Sequence, residues 1–156
     1  MNKRFFLILS ASGGAGHIRA AEALHQAAQT IDLPIKSKHY DCLDFTSPLF
    51  KRLYAGSYLA MVNNMPELWG YLHAQTERRP YDKKGVLKIF DHFNYDRYLR
   101  ELAAMKPDAI ICTHFLPYIS VSDRLRSAGI DAPVFAATTD FDVHQLWINP
   151  IVSRYY

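Results

Sequence analysis

The chain opens on an almost unbroken apolar run, with Phe5, Phe6, Leu7, Ile8 and Leu9 in succession. Such a run over residues 4–11 predicts a strand covered on both faces of a sheet. Ser12-Gly13-Gly14-Ala15-Gly16-His17 interrupts it, and the period then changes. Ile18, Ala21, Leu24 and Ala28 recur near one face of a helix predicted over 18–30. Pro34 to Tyr40 predicts a second strand. Ala109 to Thr113, introduced by Lys106-Pro107-Asp108, predicts a third, and Val134 to Thr138, opened by Pro133, a fourth. Residues 118–128 between them read as a helix stopped by Gly129. Strands alternating with helices favour an α/β fold with a mostly parallel sheet and right-handed crossovers, the first strand central.

The stretch between the second and third strands departs from this rhythm. Residues 48–63, 66–74 and 86–105 predict helices, joined by a polar linker over 75–85. One apolar stripe covers about half of a surface helix, yet the first two of these carry large apolar side chains on two faces. Residues 47–90 also hold seven basic groups against three acidic ones, which accounts for the whole positive excess of a chain with net charge +3. Apolar helices beside cations suit an anionic membrane surface. Phe50, Tyr54, Tyr58, Met61 and Trp69, with Arg78, Arg79, Lys83 and Lys84, are the expected lipid-facing residues of a segment spanning 48–88. The plain alternative is that the aromatics are core and the cations a solvated loop.

A length of 156 residues, 49% hydrophobic, sets one domain with a core of its own. The charge is too small to make nucleic acid the default partner. Cys42 and Cys112 stand seventy positions apart, offering neither zinc-ligand spacing nor a disulfide framework, so a reducing compartment is expected. Lys3 and Arg4 before the apolar run imitate a secretory leader, but the run is short and leads directly into a glycine loop and a helix. No run of 18 apolar residues is present to span a bilayer.

The chemistry gathers at the strand ends. Gly13, Gly14 and Gly16 let backbone amides approach an anion, and the helix start behind them adds unpaired N–H groups and a positive dipole end. The loop lacks the Lys-Ser/Thr ending of a nucleotide P-loop and is not GxGxxG. His17, where loop meets helix, is a candidate base, with a capping histidine as the plain alternative. His114 follows the third strand. Thr139, Asp140 and His144 follow the fourth and should reach the same rim. Their spacing is long for a metal centre, and none is expected. Trp147 reads as packing over the sheet end.

Ser10 to His17 with Ala20-Ala21-Glu22-Ala23-Leu24 behind it, Pro107 to His114, and Thr139-Asp140-Phe141 with His144 and Trp147 form three ordered blocks. Together they resemble the amino-terminal half of monogalactosyldiacylglycerol synthases and processive diacylglycerol glucosyltransferases. The resemblance implies a Rossmann-like domain over 1–156, the acceptor- and membrane-binding half of a GT-B glycosyltransferase. That family moves hexose from a UDP-sugar to diacylglycerol with inversion. It implies a catalytic role for His17 and a cleft facing Gly13, Gly14, Gly16, His114, Thr139, Asp140 and His144. Peripheral placement on the inner face of the cell membrane follows from the same resemblance. No cofactor is implied. The UDP-sugar would be held by a carboxyl-terminal domain that is not expected within these 156 residues, so they alone are expected to be inactive and open to self-association. A lipid-binding or regulatory remnant, an acceptor domain for an undecaprenyl-linked lipid, and a nucleotide-binding protein are the alternatives.

Overall fold

A computed structural model of the chain describes residues 3–49, 51, 52, 54, 56, 95–122, 124–140 and 145–156. Five strands form one sheet: β1 (Arg4–Ser10), β2 (Ile35–Asp41), β3 (Ala109–Cys112), β4 (Val134–Ala136) and β5 (Val152–Tyr155). All neighbours are parallel, and the spatial order is β2-β1-β3-β4-β5. β1 is therefore internal, but β3 and not the predicted β1 takes the centre, because two strands lie beyond β3 and only β2 lies beyond β1. Order reverses between β1 and β3, and parallel sheets leave a crevice at the carboxyl ends of the strands at such a switch point.

The apolar run of β1 is buried on both faces because side chains alternate along a strand. Leu7 and Leu9 enter the main core with Tyr98, Leu102, Ile110, Cys112 and Leu116. Ile8 and Ser10 alternate to the other face and are equally buried. Helix α1 (Ala15–Thr30) covers that second face, where His25 Nδ1 meets Ser37 Oγ of β2 at 2.7 Å. Helix α2 (Tyr95–Met105) covers the first, burying Tyr98, Leu99 and Leu102 along one stripe. It is the carboxyl-terminal part of the helix predicted over 86–105. The predicted helix 66–74, the linker 75–85 and most of the 48–63 helix lie outside the described residues.

The predicted helix over 118–128 is corrected. Helix α3 is short, Leu116–Ile119, with Pro117 in its first turn. A series of turns follows, mixing four-residue bonds such as Leu125 N–H to Val121 O at 3.1 Å with three-residue bonds such as Arg124 N–H to Val121 O at 2.8 Å. Ser120 spends its hydroxyl on the Pro117 carbonyl, the local competition that makes serine a poor helix interior residue. The stop is as predicted. Gly129 adopts φ +74°, its N–H reaches Arg126 O at 3.0 Å, and Ile130 N–H reaches Leu125 O at 3.0 Å. This is a Schellman closure, with Ile130 and Leu125 both in the core as its apolar contact.

Candidate functional site

His17 is the third residue of α1, which places it over the carboxyl end of β1 at the switch point. Its ring is buried, with a side-chain exposure of 10%. Nδ1 lies 2.9 Å from the carbonyl oxygen of Thr113, the residue that follows β3. A carbonyl oxygen only accepts, so Nδ1 carries the proton. Thr139 Oγ1, beyond β4, sits against the same nitrogen and donates to the same Thr113 carbonyl at 3.3 Å. Thr113 Oγ1 donates to the His17 carbonyl at 2.8 Å. Strand-end segments following β1, β3 and β4 thus hold one imidazole in one tautomer. In the neutral ring the Nε2 lone pair is left as the basic site, and it faces Asp140 Oδ1 at 3.7 Å.

His114 adopts the opposite tautomer. Its Nδ1 accepts the Leu116 N–H at 3.0 Å, so in the neutral ring Nε2 carries the proton. The two imidazoles meet edge to face with centroids 4.4 Å apart. Two histidines packed together therefore present different chemistry, one a lone pair and one an N–H. Asp140 is held in turn by Trp147, whose indole Nε1–H donates to Oδ2 at 2.7 Å. Trp147 opens no path to solvent and ends a 3₁₀ turn, Gln145–Trp147.

The glycine loop completes the rim. Gly14 caps α1 with no side-chain hydrogen bond, and no acidic residue occupies the first turn. The first amides of α1 therefore lack an intrahelical partner, and the turn carries no carboxylate of its own to compensate its dipole. A Cβ on Gly13 would lie 3.1 Å from Tyr54 Cε1 and 3.7 Å from His114 Nε2, whereas one on Gly16 would meet nothing within 4 Å among the described residues. Beneath the loop, Asp41 accepts the N–H of Ser12 at 3.1 Å and that of Leu43 at 3.0 Å through Oδ1. Its Oδ2 pairs with Lys51 Nζ at 2.9 Å. Ser12 Oγ is buried and meets no hydrogen-bond partner among the described residues.

The structure thus brings Gly13, Gly14, Gly16, His17, His114, Thr139 and Asp140 to one rim. His144 lies outside the described residues, as do Phe50, Tyr58, Met61, Trp69, Arg78, Arg79, Lys83 and Lys84. Tyr54, grouped by sequence with the lipid-facing residues, is half-buried against the core with its ring beside Gly13. Sequence reasoning missed the parts played by Asp41, Lys51 and Trp147. An aspartate ending a strand just before a helical turn is a capping signal, and that much was available for Asp41. Among the described residues no group of three His, Cys, Asp or Glu side chains could hold a metal, and no helix is long and apolar enough to cross a membrane. Both thiols are buried, and burial pushes Cys42 and Cys112 well above the ordinary thiol range, which makes them core rather than chemistry.

Comparison with known proteins adds a lineage to this geometry. A family model described as monogalactosyldiacylglycerol (MGDG) synthase matches residues 17–156. Similar proteins include the processive diacylglycerol beta-glucosyltransferases of Bacillus cereus strain B4264 and Bacillus thuringiensis strain Al Hakam. Each is 32% identical over 153 residues, covering 96% of this chain and 37% of the relative. The chain spans little more than a third of the length of these relatives. No solved structure matches it.

Proposed function

The chain belongs to the monogalactosyldiacylglycerol synthase family, and from that premise we propose that it is the acceptor-binding half of an inverting GT-B hexosyltransferase. The reaction moves hexose from a UDP-sugar to the free hydroxyl of diacylglycerol. The observation that carries this reading is the locked tautomer of His17: Nδ1–H committed to Thr113 O at 2.9 Å, and Nε2 left as a base at the sheet's switch point.

In the proposed step His17 Nε2 takes the proton of the acceptor hydroxyl. The freed oxygen bonds to the anomeric carbon while the bond from that carbon to the diphosphate oxygen breaks, and UDP leaves with the electron pair. The imidazolium so formed lies 3.7 Å from Asp140 Oδ1, whose negative charge offsets it. The uncapped amides at the start of α1 suit the charge that develops on the leaving diphosphate. Groups of a UDP-sugar-binding half would supply the remainder of that stabilisation. No covalent sugar intermediate is needed.

The proposed setting is the inner face of the cell membrane, bound peripherally through the 48–88 segment to anionic lipid. The isolated chain is proposed to be inactive in transfer and open to self-association through the face that meets the donor half. The test is incorporation of labelled hexose from UDP-glucose or UDP-galactose into diacylglycerol by the protein carrying its UDP-sugar half. A positioned base contributes about 10²–10⁴-fold, so His17→Ala there lowers kcat by that factor with little change in the UDP-sugar KM. A variant with unaltered kcat at saturating acceptor would reduce His17 to a structural role.

A further inference from the structure

We infer that Trp147 is a positioning residue: its indole N–H fixes the Asp140 carboxylate so that the other oxygen is aimed at His17 Nε2. The inference rests on the reading of His17 as the base and adds a residue to which that reading assigned only packing. The 2.7 Å bond from Trp147 Nε1 to Asp140 Oδ2 leaves Oδ1 as the oxygen that faces His17, at 3.7 Å. A carboxylate hydrogen-bonded through one oxygen has lost the rotation that would otherwise carry both oxygens toward water. Asp140 needs that restraint, because its side chain is 28% exposed and it stands at the end of a loop rather than on a strand.

Trp147 is suited to the task because it cannot move. Its side chain is fully buried, its ring lies against His114 and Phe115 with centroids at 6.3 and 5.8 Å, and Tyr118 Oη donates to its carbonyl at 2.7 Å. The relay therefore runs from Tyr118 on α3 through Trp147 and Asp140 to His17 on α1. A buried indole N–H must find an acceptor, and here the acceptor is the carboxylate that, among the described residues, addresses the candidate base.

The experiment reads the 156-residue chain by NMR at one fixed pH, with no need for transfer activity. The chain has two tryptophans, so Trp69→Phe assigns the indole Nε1–H of Trp147. Asp140→Ala should move that signal upfield and speed its exchange with water. The imidazole 15N shifts of His17, which follow tautomer and charge and are barely touched by the ring current of the indole 6.4 Å away, then report on the relay. Trp147→Phe, which keeps an aromatic ring in place, should shift them in the direction that Asp140→Ala does. The double variant should coincide with Asp140→Ala alone, since residues acting through one partner are not additive. His17 signals unmoved by Trp147→Phe, or shifts that add in the double variant, would overturn the inference. If Trp147→Phe does not fold, an indole signal indifferent to Asp140→Ala overturns it as well. Should the protein carrying its UDP-sugar half transfer no hexose, the reading of function fails while these spectra still decide whether Trp147 sets Asp140 against His17.

Discussion

Replacing Gly16 with alanine separates what the fold wants from what the site wants. Gly16 is the second residue of α1, already in helical conformation, and an added Cβ would meet nothing within 4 Å among the described residues. Inside a helix glycine costs about 0.5–1 kcal/mol relative to alanine, because the unfolded chain gains so much freedom there. Position in the first turn points to the lower half of that range. For a domain of this size 1 kcal/mol moves Tm by about 2–4 °C, so Gly16→Ala should raise Tm by roughly 1–3 °C. Gly13→Ala is the internal control. Its Cβ would press on Tyr54 Cε1 at 3.1 Å, so the ring must give way and no such gain is expected. In the proposed reaction the open side of Gly16 is where the leaving diphosphate meets the amides of α1. A methyl group there holds a phosphate oxygen away from an N–H, and loss of one such donor typically costs about 10²–10³ in kcat. The expected result is a more stable and less active protein, measured by thermal melting and by hexose transfer. A lower Tm for Gly16→Ala would refute the stated geometry of the loop. A higher Tm with full activity would show that the open side of Gly16 is not where the ligand sits.

Other consequences follow from the same structure. Asp41→Ala removes a cap on Leu43, the acceptor for Ser12 N–H and the partner of Lys51; a lost cap alone costs about 1 kcal/mol, and urea unfolding should show at least that loss. Burial holds His39 below the ordinary imidazole range, against the opposing pull of Glu22, Asp41 and Asp44 and with the help of His25. The unfolded chain then binds the proton more readily, so stability from His39 is complete above about pH 6.5 and is lost as pH falls through its lower folded value. His39→Gln, which keeps a partner for Ser10 Oγ, should flatten that dependence in urea melts taken between pH 7.5 and 5. Cys42 and Cys112 should resist a thiol reagent in the native protein at pH 8 and react together on unfolding; rapid native labelling of either would contradict their burial.

The parts of this protein whose causes are local are legible in the order of its residues. A continuous apolar run forms β1, three glycines end it, and the period changes at Ile18. Gly129 closes the 120–129 turns through a conformation that glycine adopts without strain. Because every crossover in a parallel sheet returns to the same edge, residues just after β1, β3 and β4 had to share one rim, and His17, His114, Thr139 and Asp140 do. Residues 118–128 were misread because their apolar spacing suits a helix, while Pro117 and Ser120 favour a short one followed by turns. The partners of each rim residue, by contrast, come from long-range packing. The proton on His17 Nδ1 is set by a carbonyl 96 positions away and its other neighbour stands 122 positions away. Those separations close only when β3 lies between β1 and β4, and strand order is a property of the packed sheet. Trp147 shows the same division. Its size marked it for burial from the sequence, but the acceptor of its one N–H was settled by which loop the fold laid beside it.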